Sequence, residues 1–136
     1  MVKSITMAKE IVVVTENKIG ILADIAKKLA EIGINIEAIA GHNLPDNIAT
    51  LMLITSDNAR ALDVLKTTGH KPVKESEVIL MELENKVGML KEVTEKLAAN
   101  TIDIKYIYAT TCSSSCPSRI VFATTDNAKA MTVLRK

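Results

Sequence analysis

The sequence predicts an α+β protein made of two similar modules, each with the element order β-α-β-β-α-β. The first observation is a repeat: residues 16–22 read ENKIGIL, and residues 84–90, 68 positions later, read ENKVGML. The second is that residues 57–59 return as residues 126–128, now 69 positions later. The third is the alternation of β-branched runs with apolar residues at helical spacing. The repeat therefore indicates two homologous modules with a pseudo-twofold interface between them.

The first module opens with a β-branched run at residues 11–14, typical of a buried strand. Asn17 and Gly20 bracket a tight turn. Apolar residues then recur at helical spacing up to Ile32, with charged residues on the other side. Gly33 suits the end of this helix.

A strand follows from Ile34 to about residue 40. Residues 42–47 contain Pro and Asp, which favour a hairpin turn, and residues 48–54 form the return strand. Ser56 or Asp57 then caps a second helix, because short polar side chains accept hydrogen bonds from helix N–H groups.

Gly69 ends that helix, and residues 71–75 are predicted to form a fourth strand with Pro72 near its start. The second copy repeats the order with strands over residues 78–83, 102–110 and 119–123 and helices over residues 87–99 and 126–135. No fourth strand follows, so the second module is predicted to lack its C-terminal strand. In each module the helices should cover one face of an antiparallel sheet, the ferredoxin-like plan.

These elements predict domains over residues 1–76 and 77–136, with residues 1–9 as an N-terminal extension. A shift of 68 residues lays Val2–Met7 over the fourth strand of the first module. By pseudo-twofold symmetry, we expect Lys3–Met7 to pair beside residues 78–83 and complete the second module. The alternative is a disordered tail.

Composition excludes several functional classes. The 17 basic and 16 acidic residues are mixed and give a net charge of +1, so no basic patch favours nucleic acid. No apolar run is long enough for a membrane span, and the first residues lack the apolar core of a signal peptide. We therefore expect a soluble, cytoplasmic protein. Modules of this size bury little surface alone, which favours packing together and homodimer formation.

The motif Glu-Asn-Lys-x-Gly-x-Leu at a strand–helix junction, followed by Gly-Ile-Asn-Ile at the second strand, resembles an ACT domain. Residues 8–135 resemble two tandem ACT domains. The resemblance implies regulatory, allosteric modules that bind a small molecule, typically an amino acid, at the interface between paired domains. It implies no cofactor, and it allows an enzyme as a partner.

The resemblance also implies ligand contacts at the turn and at an Asn opening the second strand, which Asn17 and Asn35 match. Thr15 falls where some members have His, and Ile19 replaces the commonest Pro. Gly20 and Gly88 either admit a ligand to the backbone or serve only the turn. The predicted ligand-binding residues are Thr15, Asn17, Lys18, Ile19, Gly20, Ile21, Leu22, Asn35 and Ile36 in the first module, and Asn85, Val87, Gly88, Met89, Leu90 and Asp103 in the second.

Two alternatives concern these polar residues. Asn17 and Asn85 are as well suited to capping the helix as to contacting a ligand. Asp103 replaces Asn35 in the second module and favours an ammonium over a carboxylate, so we expect the modules to bind unequally.

Cys112 and Cys116 lie in a Ser-rich segment that forms the hairpin of the second module. Two thiols four residues apart can hold a metal or form a disulfide. No local His or Cys completes a zinc site, although His42 in the corresponding hairpin leaves ligation across modules open. The favoured expectation is a mobile loop with no metal.

No nucleophile has an evident His and acid partner, so the chain is not predicted to be an enzyme. The leading hypothesis is a stand-alone regulatory, ligand-sensing protein that binds an amino acid between ACT modules. The alternatives are a ligand-free regulatory subunit of an amino-acid biosynthetic enzyme and a metal or redox sensor that uses Cys112 and Cys116.

Overall fold

The computed structural model describes residues 2–69, 73–113 and 115–135. Its elements are β1 (Val2–Glu16), α1 (Ile21–Glu31), β2 (Ile36–Leu44), β3 (Ile48–Thr55), α2 (Asn58–Lys66), β4 (Val73–Leu83), α3 (Met89–Ala99), β5 (Ile104–Thr110), β6 (Ser118–Thr124) and α4 (Asn127–Leu134). The predicted α+β class and the repeated βαββα order are confirmed, and no strand follows α4 up to residue 135.

The chain divides into two compact units. The first unit is Lys9–Ser76, and the second unit combines the described residues up to Ala8 with those from Glu77 onward. The strand order is β2-β3-β1-β4 in the first unit and β1-β4-β6-β5 in the second. Both β1 and β4 contribute one part of their length to each unit.

Two strands differ from the prediction. The strands expected at residues 3–7 and 11–14 are one strand, Val2–Glu16. The separate strands expected at residues 71–75 and 78–83 are one strand, Val73–Leu83, because no Gly or Pro interrupts the extended backbone between them. Residues 71 and 72, together with His70, lie outside the described residues.

The core of the first unit lies between its helices and one face of its sheet. Val13 pairs with Leu51 and Ile11 with Leu53, so these four side chains share that face. Burying them against the apolar stripe of the helices stabilises the unit. The buried cluster consists of Ile11, Val13, Ile25, Leu29, Ile34, Leu51, Leu53, Ala61 and Leu65.

The second unit has an equivalent core in which Met81 pairs with Ile120 and Ile79 with Phe122. Val2 and Ile5 pack against this cluster. The first residues of β1 therefore supply apolar side chains to the unit that contains residues 77–135.

Aspartates cap the second helix of each unit. Asp57 accepts a hydrogen bond from the Arg60 N–H at 3.2 Å, and Asp126 accepts one from the Lys129 N–H at 3.0 Å. Of the two predicted caps, Asp57 is the one observed, while Ser56 bonds to Asn35 instead.

An asparagine after each cap ties its helix to the sheet. Asn58 Oδ1 accepts from the N–H of Thr55 at 3.1 Å and from its hydroxyl at 2.6 Å, and Asn58 Nδ2 donates to the Lys9 carbonyl at 2.9 Å. Asn127 makes the matching bonds to Thr124. Both threonines are buried, so these asparagines satisfy hydroxyls that water cannot reach.

Candidate functional site

The glycine at the end of the strand–helix turn has the same conformation in both units. Gly20 and Gly88 each adopt a left-handed backbone with φ of 92°, and each precedes a helix that has no side-chain cap. Asn17 and Asn85 therefore do not cap these helices, contrary to the alternative interpretation. The backbone N–H groups of Leu22 and Ala23 have no hydrogen-bond partner in the described part of the chain. Such groups at a positive dipole end suit an anion.

A pocket of about 540 Å³ adjoins this turn in the first unit. Leu22, Ile39 and Leu51 supply apolar wall, and Asn17 and Lys18 supply polar groups at the turn. The lining residues are Asn17, Lys18, Gly20, Ile21, Leu22, Ile39, Ala40, Gly41, His42, Asn43, Ala49 and Leu51.

Gly41 shapes the wall of this pocket. It pairs with Leu51 across β2 and β3, so both positions face the same side of the sheet. A Cβ at residue 41 would lie 2.6 Å from Leu51 Cδ2, closer than carbon atoms can approach. Gly41 was not among the predicted site residues, since an isolated glycine in a strand indicates close approach only once its partner is known.

The turn is joined to the β2–β3 hairpin by the backbone. The Asn17 N–H donates to the Asn47 carbonyl at 2.8 Å. Three residues connect the paired Leu44 and Ile48, and two of them, Asp46 and Asn47, have positive φ of 66° and 60°. The hairpin is therefore shorter than the predicted span of residues 42–47, and His42 belongs to β2.

The second unit has a pocket of about 340 Å³ at the equivalent place. Tyr108, Ala109 and Ser118 take the places of the smaller Ala40, Gly41 and Ala49, which is consistent with its smaller volume. Its lining residues are Leu83, Glu84, Asn85, Lys86, Met89, Leu90, Ile107, Tyr108, Ala109, Ser118 and Ile120.

Acid–lysine pairs flank both turns. Lys86 Nζ lies 3.1 Å from Glu84 Oε1, and this hydrogen bond holds the pKa of the Glu84 carboxyl below its ordinary value. The corresponding distance from Lys18 Nζ to Glu16 Oε2 is 3.7 Å. Both lysines are exposed, so each can turn toward a ligand at little cost.

A third pocket, of about 540 Å³, lies in the second unit. It has an apolar floor and a charged rim of both signs, and its lining residues are Val2, Leu83, Glu84, Met89, Glu92, Val93, Lys96, Leu134 and Arg135. No predicted ligand contact except Met89 lies there.

Within residues 2–69, 73–113 and 115–135, no group of three or more His, Cys, Asp or Glu side chains could hold a metal ion. Cys112 and Cys116 are instead joined as a disulfide. No helix in the same ranges has the length and apolarity to cross a membrane.

A family model described as an ACT domain pair matches residues 5–136. The chain belongs to this family. The resemblance inferred from residues 16–22 and 84–90 is thereby confirmed. No protein of curated function shows significant similarity to the chain.

Solved structures share the fold of this ACT pair. Protein BT0572 from Bacteroides thetaiotaomicron is 26% identical, with a TM-score of 0.87 over 96% of this chain and 88% of that chain. The regulatory subunit of aspartate kinase from Thermus thermophilus, in its ligand-free form, is 15% identical, with a TM-score of 0.69, and the alignment covers 98% of this chain and 94% of that chain. The subunit from Thermus flavus is 17% identical, with a TM-score of 0.66 and the same coverage. At these identities the two subunits demonstrate the fold alone.

The predicted contacts of the ACT pair fall into two groups. Asn17, Lys18, Gly20, Ile21 and Leu22 line the first pocket, and Asn85, Met89 and Leu90 line the second. Ile19 and Val87 are fully exposed at the tips of the turns. Neither they nor Gly88 are among the pocket-lining residues.

The structure does not bring Asn35, Ile36 or Asp103 into these pockets. Ile36 pairs with Thr55, at the opposite end of β2 from residues 39–43. Asn35 exchanges two bonds of 2.9 Å with Ser56, and Asp103 is held similarly by Thr125. Thr15 pairs with Ala49 beside the first pocket but does not line it. Ligand contact by these four residues therefore requires a surface beyond the two turn pockets.

Proposed function

We propose that this ACT pair is a regulatory protein that senses a free amino acid in the turn pocket of the first unit, and more weakly in that of the second. The observation that carries the proposal is the unsatisfied N-terminus of α1. Two backbone N–H groups without described partners adjoin an apolar-walled pocket that also presents Asn17 and Lys18.

The helix end provides the carboxylate site. The N–H groups of Leu22 and Ala23 and the positive end of the α1 dipole favour an anion. Lys18 adds a mobile positive charge. A monocarboxylate fits this arrangement better than a phosphate, since no cluster of arginines or glycine-rich loop lines the pocket.

The rest of the pocket suits an α-ammonium and a side chain of modest size. Asn17 presents an amide, and Asn43 and His42 extend the polar rim. Leu22 and Ile39 offer apolar contact on the other side. A volume of about 540 Å³ lies within the ordinary range for small-molecule sites.

Exposed apolar side chains at the pocket mouths favour a covering partner. Leu22 and Ile39 are 48% and 42% exposed, and the equivalent Leu90 and Ile107 are 52% and 43% exposed. Equivalent positions in the two units carry the same exposed apolar side chains. This repetition supports a role for them in binding a partner. A second copy of the chain, or a regulated enzyme, is the proposed partner.

Regulation then requires that the amino acid bind differently to the free and the assembled states. A ligand held at α1 would order the turn and the apolar residues beside it, and so change the surface that the partner contacts. The alternative of a ligand-free regulatory subunit rests on the same exposed residues without the pocket.

A thermal-shift screen against the twenty common L-amino acids tests the proposal. A ligand that binds only the folded form raises the melting temperature. For an amino acid that does so, calorimetry of Asn17→Ala should show affinity lowered by about 1–3 kcal/mol, while the distant Asn100→Ala should bind as the wild type does. Failure of every amino acid to shift the melting temperature would favour the ligand-free subunit.

A further inference from the structure

The hairpin between β5 and β6 carries a disulfide beside the second pocket. Cys112 and Cys116 are joined with a Cα–Cα distance of 5.8 Å, inside the range that disulfides require. Cys112 is exposed and Cys116 is half-buried. A disulfide in an exposed hairpin is open to attack by a small thiol.

Asn85 connects this hairpin to the pocket. Its Nδ2 group donates to the Ser113 carbonyl at 3.0 Å and lies 3.3 Å from the Thr111 hydroxyl. Ser113 lies inside the ring that the disulfide closes, and its carbonyl also accepts from the Cys116 N–H at 3.2 Å. The disulfide therefore restrains the acceptor that holds the Asn85 amide.

The orientation of Asn85 determines what the second pocket presents. With both Nδ2 hydrogens directed at the hairpin, the Oδ1 atom has no hydrogen-bond partner in the described ranges and remains available as an acceptor. Asn85 also lines the pocket. A side chain fixed in this way binds a donor without first losing rotamer freedom, and this strengthens binding.

We propose that Cys112 and Cys116 form a reversible thiol–disulfide site that sets the ligand affinity of the second pocket through Asn85. This inference rests on the proposed function of that pocket. The oxidised hairpin holds Asn85 ready for a ligand ammonium, and reduction lets Ser113 and Asn85 move apart.

The co-reactant belongs to the class of low-molecular-weight disulfides. The thiolate of Cys112 attacks one sulfur of the small disulfide, forms a mixed disulfide and expels one small thiolate. The thiolate of Cys116 then attacks Cys112 Sγ, closes the ring and expels the second small thiolate. The protein loses two electrons and two protons, and the small disulfide becomes two small thiols.

The first unit supplies an internal control. Its hairpin is bound to the turn through the backbone, from the Asn17 N–H to the Asn47 carbonyl at 2.8 Å, and contains no cysteine. The side-chain amide of Asn17 makes no hydrogen bond to any residue that the structure describes. Redox conditions should therefore act on the second pocket and leave the first unchanged.

The first experiment needs no ligand. The full chain is equilibrated in buffers of reduced and oxidised glutathione, free thiols are counted, and the side-chain amide signals of Asn85 and Asn17 are followed by NMR. We expect both thiols to disappear together without glutathione adducts or dimers, and the Asn85 signal alone to shift. An Asn85 signal that is unchanged between the two states would overturn the coupling, as would thiols that stay free in oxidised glutathione.

The second experiment measures binding of the panel of twenty common L-amino acids. Asn17→Ala weakens the first pocket so that the second can be titrated. We expect about tenfold weaker binding after reduction, or in the Cys112→Ser, Cys116→Ser double variant, corresponding to about one hydrogen bond. Equal affinity in both redox states would overturn the inference. If no amino acid binds in either state while the Asn85 signal still shifts, the proposed ligand is wrong and the coupling stands.

Discussion

Gly20 and Gly88, 68 positions apart, begin equivalent helices with the same φ of 92°. A Cβ built on either glycine would meet nothing within 4 Å. The requirement for glycine at these positions therefore comes from the backbone and not from crowding. The left-handed glycine lies directly before the helix turn whose first residues, Ile21 and Leu22, line the first pocket.

Gly20→Ala should destabilise the protein by about 1–2 kcal/mol, the cost of a left-handed conformation for a residue with a Cβ. Gly33→Ala is the matched control, because Gly33 also has positive φ and open space but lies away from the pocket. Urea titrations should show a similar decrease in the free energy of unfolding for both variants. Calorimetry should show weakened amino-acid binding only for Gly20→Ala. If the two variants bind the amino acid with equal affinity, Gly20 does not belong to the binding site.

Gly41→Ala should crowd Leu51 and destabilise the first unit by about 1–3 kcal/mol, as overpacking does. The second unit has Ala109 opposite Ile120 at the equivalent pair. Adding Leu51→Ile to Gly41→Ala copies that pair and should recover part of the loss. A double variant less stable than Gly41→Ala in urea titrations would contradict this interpretation of the contact.

Asn58→Ala should lower the free energy of unfolding by about 1–3 kcal/mol, because it leaves the buried Thr55 hydroxyl without its acceptor. Asn127→Ala should cost a similar amount in the second unit, where Thr124 is equally enclosed. Asn100→Ala serves as the control, since the half-buried Asn100 side chain donates to the Lys96 carbonyl of its own helix, and the Asn100 carbonyl that accepts from Lys129 Nζ is kept in the variant. In differential scanning calorimetry, the melting temperature of Asn100→Ala should lie closest to that of the wild type.

Ile5→Ala should destabilise the second unit, because Ile5 packs against its core. The half-buried Ile5 side chain should contribute about 1 kcal/mol to the free energy of unfolding, and the exposed side chain of its neighbour Ser4 should contribute almost nothing. Hydrogen exchange at residues 78–83 should accelerate in Ile5→Ala and not in Ser4→Ala. Unchanged protection at those amides would mean that β1 does not stabilise β4.

The repeat in the sequence was enough to predict the class, the order of elements and the position of the strand–helix turns. Gly20 and Gly88 were identifiable because a glycine between a strand and an amphipathic helix has few other uses. Local signals also located Asp57 as a cap, since its hydrogen bonds involve only neighbouring residues.

Features that depend on distant partners could not be predicted in the same way. Gly41 acquires its meaning from Leu51, which lies on another strand. Asn85 resembles Asn17 in the sequence, but its amide is held by the disulfide hairpin 28 residues away. The continuity of β1 was missed: separate strands were expected at residues 3–7 and 11–14, because the exposed, polar residues among 3–9 weaken the pattern between them.

The most direct test of the central claim is an NMR titration of the full chain with the amino acid that gives the largest thermal shift. We expect the changed amide signals to map to residues 17–22 and 39–43, with weaker changes at residues 85–90 and 107–109. Changes confined to Asn35, Asp103 and their neighbours, or to the third pocket beside Arg135, would contradict the assignment of the site to the turn pockets.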